Sequence, residues 1–159
     1  MPRLTRAFVS LPGEGTTIRA PVGGPATIRA RTEDTAGALA LIDVTVPSKA
    51  GPALHIHARE DELWVVLDGH LRFKADGEIF QAPAGSIVFV PRGVPHCFQN
   101  TGEQAAHILI LFTPSGMERF FEEVARLPPG PIDPDARRRI AHSAWMETVG
   151  PPLAESDPL

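Results

Sequence analysis

Short apolar segments, separated by glycine and proline, recur along the chain from residue 38 to residue 112. They are rich in β-branched residues or alternate between apolar and polar positions, which is the pattern of strands rather than helices. Seventeen prolines and fourteen glycines divide the chain into short pieces, as an all-β fold with many turns requires. The predicted strands are 38–46, 53–58, 62–67, 70–75, 78–81, 86–90, 95–100 and 106–112.

The segment 62–67, with the sequence ELWVVL, is apolar on both faces. Alternate residues of a strand share a face, so an inward Glu62 places Trp64 inward as well. The opposite face then needs cover from a second sheet or from another chain. This second face consists of Leu63, Val65 and Leu67. We therefore expect a homodimer, because a bare apolar patch is unusual on a soluble monomer.

Beyond residue 114 the apolar positions follow a helical period. Ser115 and Glu118 have the spacing of a capping box, which indicates the start of a helix. One face of this helix follows the i, i+3, i+4, i+7 spacing. It consists of Met117, Phe120, Phe121 and Val124. Asp133 and Pro134 predict a second helix, with an aspartate cap and a first-turn proline, that extends to about Val149.

Length, composition and charge narrow the class of protein. A chain of 159 residues with 43% hydrophobic and 21% charged residues is typical of a single globular domain. The net charge of −4 argues against a nucleic-acid-binding protein, which usually has a basic face. A run of three arginines, Arg137 to Arg139, is a local exception. We interpret this run as a solvated helix face, with an anion or partner site as the alternative.

The cellular compartment is indicated by three features. The single cysteine, Cys97, cannot form an internal disulfide, which fits a reducing cytoplasm. The first residues, MPRLTRAFVSL, contain no apolar run long enough for a signal peptide. No apolar stretch reaches the roughly 18 residues that a membrane-spanning helix needs, so no membrane association is expected. Together these features predict a cytoplasmic protein.

The most specific chemical signal is a set of three histidines and one glutamate in two separate segments. His55 and His57 are two residues apart on a predicted strand, so both rings point to the same face. Glu62 begins the next strand, and His96 lies in the second segment. Three imidazoles and one carboxylate suit one divalent transition metal ion per chain. This set does not distinguish among iron, manganese, nickel, cobalt, copper and zinc.

These residues lie in two motifs that resemble those of the cupin superfamily. The second cupin motif, G-x5-P-x-G-x2-H-x3-N, is matched at Gly85, Pro91, Gly93, His96 and Asn100. The first motif, G-x5-H-x-H-x3,4-E-x6-G, is matched at His55, His57, Glu62 and Gly69. The first motif departs from the pattern at its opening glycine, because only three residues separate Gly51 from His55. This departure affects none of the metal ligands.

The resemblance implies an all-β fold with a single cupin barrel, a double-stranded β-helix or jelly roll, over residues 26–114. The short barrel followed by a C-terminal two-helix extension, residues 115–150, is similar to small quercetin-dioxygenase-like proteins. These two helices are expected to close over one side or mouth of the barrel. Residues 1–25 are expected to form an N-terminal arm or an edge strand. Residues 151–159 are expected to be a disordered tail.

The first hypothesis for function is a metal-dependent enzyme of the dioxygenase type, acting on a small chelating aromatic or enolic substrate. Four protein ligands leave up to two positions open on a roughly six-coordinate ion, enough for substrate and dioxygen. Trp64 and Phe98 are inward by strand parity and are candidate apolar walls for the substrate, with plain core packing as the alternative. No catalytic acid or base beyond the metal ligands can be named.

Two further hypotheses stay open, because cupins support many chemistries and a fold does not fix a function. One is a non-catalytic cupin that binds or senses a small molecule. The other is an isomerase or cyclase in which the metal acts as a Lewis acid. The role of His107 is also open, since apolar residues flank it on its strand and leave its facing undetermined.

Overall fold

The structure, a computed structural model, describes residues 6–130 and 133–159. Within these residues the chain forms eleven β-strands and three helices. In chain order they are β1 (Thr16–Arg19), β2 (Pro25–Ala30), β3 (Ala40–Val46), β4 (Ala53–His57), β5 (Asp61–Asp68), β6 (His70–Ala75), β7 (Glu78–Pro83), β8 (Ile87–Val90), β9 (His96–Asn100), β10 (Ala106–Thr113), α1 (Met117–Ala125), α2 (Pro134–Ser143), β11 (Met146–Pro152) and α3 (Leu153–Ser156). Each strand predicted between residues 38 and 112 is present, with ends that differ by at most two residues.

The strands form two antiparallel sheets. The first sheet has the order β1-β2-β3-β10-β5-β8, and the second has the order β11-β4-β9-β6-β7. Strands that are distant in the chain, such as β3 and β10, lie side by side and pair antiparallel over seven residues. The two sheets pack their inner faces together around one core, which confirms the predicted all-β jelly-roll fold.

Strand parity decides which side chains enter this core. In β5, Trp64 and Val66 are buried, with exposures of 0% and 1%, and they share the inner face with Glu62. Leu63 and Val65 lie on the outer face and are only partly covered. In β10, His107 also lies on the outer face, where its ring pairs with the carboxylate of Asp43 on β3. The predicted facing of β5 is therefore confirmed, and His107 points away from the barrel interior.

Two places in the barrel where glycine is found have a simple geometric basis. Asp76 and Gly77, which join β6 to β7, both have positive φ angles, 49° and 81°, as a two-residue type I′ hairpin turn requires. Gly51, the displaced opening glycine of the first motif, lies against β9. A Cβ atom on Gly51 would be 1.9 Å from the carbonyl oxygen of Phe98. Only glycine fits there, because the two backbones approach within the space of a side chain.

The N-terminal arm is an edge strand of the chain's own first sheet. Within the predicted arm, residues 1–25, β1 pairs with β2 in the register Thr16 to Ile28. Residues 1–5 lie outside the part of the chain that the structure describes. Of the two alternatives for this segment, an arm or an edge strand, the described residues of β1 form the edge strand.

The two predicted helices are present and lie against the barrel. The helix α1 begins after Gly116, whose backbone N–H donates to Glu118 Oε2 at 2.8 Å. The helix α2 begins after Asp133, whose carboxylate accepts hydrogen bonds from the backbone N–H groups of Asp135 and Ala136. Asp133 and Pro134 therefore have the predicted capping roles.

The end of the chain differs from the sequence-based prediction. The helix α2 ends at Ser143 instead of about Val149, and Trp145 follows with a positive φ of 58° that redirects the chain. Residues 146–152 then form β11, which pairs with the edge of β4. Residues 151–159, expected to be a disordered tail, contain the end of β11 and the short helix α3, with Leu153 fully buried. The pairing of β11 with β4, about ninety residues earlier in the chain, could not be predicted from the local sequence.

Helix length also bears on membrane insertion. Across the described ranges 6–130 and 133–159, no helix is both long and apolar enough to cross a bilayer.

Candidate metal centre

Three strands bring the predicted ligands together between the two sheets. His55 and His57 project from β4, and His96 projects from β9, which is hydrogen-bonded to β4 in the second sheet. His55 and His96 face each other in the register of this strand pair. Glu62 projects inward from β5 in the first sheet. All four side chains are buried, with exposures of 8% or less.

The donor atoms of these four residues converge on one point. One ligand atom from each residue can be chosen so that all four lie within 4.8 Å of one another. The Oε2 atom of Glu62 is 3.0 Å from the Nε2 atom of His57 and 3.0 Å from the Nε2 atom of His96. Two ligand atoms at about 2.1 Å from one ion and at a right angle are roughly 3.0 Å apart. The spacing of the cluster therefore suits a divalent metal ion.

Hydrogen bonds on the far side of two rings fix which nitrogen faces the cluster. The Nδ1 atom of His55 donates to the carbonyl of Ala53 at 2.8 Å, and that of His96 donates to the carbonyl of Val94 at 2.8 Å. A carbonyl can only accept, so Nδ1 carries the proton and Nε2 presents its lone pair to the cluster when the ring is neutral. Lone pairs that converge on a carboxylate need a cation between them, and this fits a metal ion.

The protonation of the cluster follows from burial and from its own charges. Burial, together with the neighbouring His96 and His57, lowers the pKa of His55 to about 3. Burial opposes ionisation of Glu62, but the charges and hydrogen bonds of the two histidines outweigh it and lower the pKa of Glu62 to about 2. Burial lowers the pKa of His96, but the hydrogen bond and charge of Glu62 outweigh this and raise it. A neutral His55 and an ionised Glu62 are the forms that coordinate a metal.

A cavity reaches this cluster, which supplies most of the polar side chains in its lining. His55, His57 and Glu62 line the cavity together with apolar residues of both sheets and of the helix α1. Its volume is about 70 Å³. The apolar walls include Val44, Phe98, Ile110, Phe112, Phe120 and Phe121. A cavity with a few polar groups and apolar walls is the usual form of a small-molecule site.

The structure places the two predicted wall residues differently. Phe98 lines the cavity, in line with its inward facing. Trp64 does not belong to the cavity lining and instead lies in the core beside the cluster. Its ring centroid is 5.4 Å from that of His96 and 5.2 Å from that of Phe73. Trp64 therefore packs beside a ligand residue and supports its position. Strand parity predicted the face on which Trp64 lies, but it does not predict how deep along the barrel the side chain is.

The C-terminal helices add residues that strand patterns could not assign to the site. Met117, Phe120 and Phe121 of α1 cover one side of the cavity, as their shared helix face allows. Arg137 of α2 also lines the cavity. The sequence marked Arg137 only as one of three consecutive arginines. Which arginine turns inward depends on how α2 docks, and that is a tertiary property.

Part of the chain that contains this cluster matches a known protein family. Residues 42–112 match the family model of the cupin domain. This chain carries a cupin domain. The matched range contains both predicted motifs and all four residues of the cluster. The cupin domain thus corresponds to the barrel from β3 to β10, whereas the helical extension lies outside the match.

Similar proteins show how far the likeness reaches. An uncharacterised protein of Methanocaldococcus jannaschii is 29% identical over 69 residues, 43% of this chain and 55% of that protein. This chain therefore spans about half the length of that curated relative. KdgF from Halomonas sp. superposes with a TM-score of 0.62 at 22% identity, over 72% of this chain and 99% of that chain.

One solved structure also matches the C-terminal extension. A variant of Streptomyces PAC13, determined with uridine, superposes with a TM-score of 0.63 at 12% identity. The superposition covers 98% of this chain and 100% of that chain. At this identity the likeness extends to the fold alone. The arrangement of this cupin barrel with its terminal helices thus recurs in a protein of very different sequence.

Proposed function

We propose that this cupin is a metal-dependent enzyme of the dioxygenase type that acts on a small chelating substrate. The observation that carries the proposal is the position of the cluster of His55, His57, Glu62 and His96 at a mostly apolar cavity. A structural metal site is closed by its protein ligands, whereas a catalytic site keeps a position open toward a cavity. Here three of the four proposed ligand residues line the cavity.

The chain's own residues have distinct roles in this proposal. His55, His57, Glu62 and His96 would hold one divalent ion, which when bound would supply Lewis-acid or redox chemistry to a chelating substrate and dioxygen. Phe98 and the aromatic side chains of α1 exclude water from the reacting centre. Glu62 is the only carboxylate among the described residues of the cavity lining, and it is ionised.

Within the predicted substrate range, we propose a small chelating enol or diketone as the substrate class. Its two oxygens would suit the open positions of a bound ion, and its carbon frame suits the apolar side chains of the cavity lining.

The first prediction concerns the metal. Wild-type protein should bind one divalent ion per chain, and His96→Ala should weaken binding by about 100-fold or more, because it removes a ligand. His70→Ala is a matched control, since His70 is exposed and its ring bonds only to the side chain of Gln81 among the described residues. Titration with manganese, nickel, cobalt and iron, followed by elemental analysis, measures both affinities.

The same variants separate a metal ligand from a structural histidine. At 100 times the dissociation constant, bound metal should stabilise wild type by about 2.7 kcal/mol, and His96→Ala should lose this gain. After stripping with chelator, the two proteins should melt at nearly the same temperature, because the barrel has its own core. A stripped variant that is unfolded while stripped wild type is folded would contradict the proposal.

Oxygen consumption then distinguishes the enzyme classes. Metal-loaded wild type should consume dioxygen with a chelating diketone such as acetylacetone, and His96→Ala should not. Turnover without oxygen would indicate the isomerase or cyclase alternative. Tight binding of such compounds with no turnover across a screen would indicate the binding or sensing alternative.

A further inference from the structure

The three consecutive arginines of α2 have different surroundings. Arg138 is exposed and pairs with Asp135, with 2.7 Å between Nη1 and Oδ1. Arg139 is exposed and lies near Asp133, with 4.0 Å between Nη2 and Oδ2. Arg137 is half-buried and lines the cavity that leads to His55, His57 and Glu62. Two of the arginines therefore form the expected solvated face, and Arg137 turns toward the barrel.

The guanidinium group of Arg137 has no partner within the described parts of the chain. Its side chain makes neither a hydrogen bond nor an ion pair with residues 6–130 or 133–159. Burial lowers the pKa of Arg137, and no neighbouring carboxylate raises it again. Arginine nevertheless remains charged in proteins. A half-buried charge without a partner is costly, so its retention inside a cavity points to an anion that is supplied from outside.

The position of Arg137 within α2 strengthens this argument. It is the fourth residue of a helix that starts at Pro134. The N-terminal part of a helix carries partial positive charge, which disfavours a cationic side chain and favours an anion nearby. Asp133 and Asp135 offset this charge for the outer arginines and for the helix end. The inner arginine receives no such compensation from the residues that the structure describes.

We infer that Arg137 binds an anionic group of the substrate, so that the substrate is a small acid, such as an enolisable keto acid. A guanidinium fork accepts a carboxylate through two parallel hydrogen bonds. Arg137 lines the same cavity as His55, His57 and Glu62, so one small ligand in that cavity would lie between the arginine and the cluster. This inference rests on the proposed function, because it names the substrate class of the same site.

The test uses two probes that differ by one group. 2,4-Dioxopentanoate and acetylacetone have the same five-carbon diketone frame and both enolise, but 2,4-dioxopentanoate has a carboxylate where acetylacetone has a terminal methyl group. Calorimetry measures the binding of both to nickel-loaded protein, for wild type, Arg137→Met, Arg137→Lys and the control Arg138→Met. Metal content and melting temperature are measured for each variant.

We expect wild type and Arg138→Met to bind 2,4-dioxopentanoate more tightly than acetylacetone. Arg137→Met should weaken 2,4-dioxopentanoate binding by about tenfold or more, since it removes a charge-assisted hydrogen bond, and should leave acetylacetone binding and metal content unchanged. Arg137→Lys should retain part of the preference. Equal loss in Arg137→Met and Arg138→Met, or a metal-loaded Arg137→Met with unchanged preference, would overturn the role of Arg137. Failure of wild type to take up metal would instead contradict the proposed function.

Discussion

At the scale of single residues, Glu118 shows how one buried charge attaches the helical extension to the barrel. Its side chain is 1% exposed, yet its carboxylate is fully engaged. Oε1 accepts hydrogen bonds from the backbone N–H and the hydroxyl of Thr32, and Oε2 accepts one from the backbone N–H of Gly116. Thr32 follows β2, so this carboxylate connects the start of α1 to the first sheet. The helix that covers the cavity is thereby fixed at its N-terminal end.

Replacing Glu118 should therefore destabilise the fold in a manner that depends on pH. Burial raises the pKa of Glu118, but the hydrogen bonds from Thr32, Gly116 and its own backbone outweigh burial and lower it. Because the folded pKa lies below the ordinary 4.5, the stabilisation is present above that pH and is lost as pH falls through the folded pKa. Glu118→Ala should cost about 1–3 kcal/mol at neutral pH.

Urea denaturation of Glu118→Ala and wild type at neutral pH and in acid measures this effect. The difference in the free energy of unfolding should narrow as the solution becomes more acidic. Glu123→Ala is the control on the exposed face of the same helix and should change stability little at either pH. A destabilisation by Glu118→Ala that stays constant into acid would show that packing, rather than the charge, fixes the helix.

At the scale of elements, the C-terminal segment covers the outer face of the second sheet. Arg72 of β6 donates to the side chain of Gln99 at 2.9 and 2.7 Å, and it also donates to the carbonyl of Asp157 at 2.5 Å. Lys74 pairs with the carboxylate of Asp157 at 2.6 Å. Cys97 lies under this segment, and burial raises the pKa of its thiol to about 11.

Removal of residues 153–159 should expose the thiol of Cys97. Thiolate is the reactive form, and solvent access lowers the pKa of a buried thiol toward its ordinary value. We expect a thiol reagent such as 5,5′-dithiobis(2-nitrobenzoic acid) to react slowly with wild type and faster, by about tenfold or more, with the truncated chain. Removal of only residues 158 and 159, which are exposed, is the control and should leave the rate unchanged. Equal rates in all three chains would mean that the segment does not cover Cys97.

The same elements show where sequence reasoning succeeds and where it ends. The spacing of His55 and His57 on β4 placed both rings inward, and the motif containing His96 supplied the facing partner on β9, because strand parity is a local rule. The strand β11 and the inward turn of Arg137 were not predicted, since each depends on contacts between distant parts of the chain. Trp64 has the predicted facing but lies beside the cavity rather than in its lining. Strand parity and the two motifs therefore predicted the metal ligands, whereas the rest of the cavity lining depends on how the helices dock.

At the scale of the whole molecule, the outer face of the first sheet has an apolar region beside the pair of His107 and Asp43. The strands β3, β10, β5 and β8 are adjacent in this sheet and place apolar side chains side by side. Ile87 and Phe89 of β8 are 68% and 57% exposed. They pair in register with Val65 and Leu63 of β5. Beyond β5 the surface continues through Leu109, Leu111 and Leu41. This surface extends the face of Leu63, Val65 and Leu67 from which a homodimer was expected.

We therefore expect two copies of the chain to pack through this surface. Burial of exposed apolar area is the main favourable term in association, and a patch of this kind seldom remains bare. Light scattering at micromolar concentration should give a mass about twice 17.1 kDa. Ile87→Asp and Phe89→Asp, alone and combined, should shift the protein to the monomer, because each would bury an unpaired carboxylate in the expected interface.

The control for this prediction is Ile79→Asp. Ile79 is 41% exposed but lies on β7 in the second sheet, away from the proposed interface. This substitution should leave the mass unchanged, and metal uptake by all the variants should match wild type, because the cluster lies inside the barrel. A monomeric wild type would contradict the expected homodimer. A dimer that persists in the combined variant but dissociates in Ile79→Asp would place the interface on the second sheet, beside the strands that hold His55 and His96.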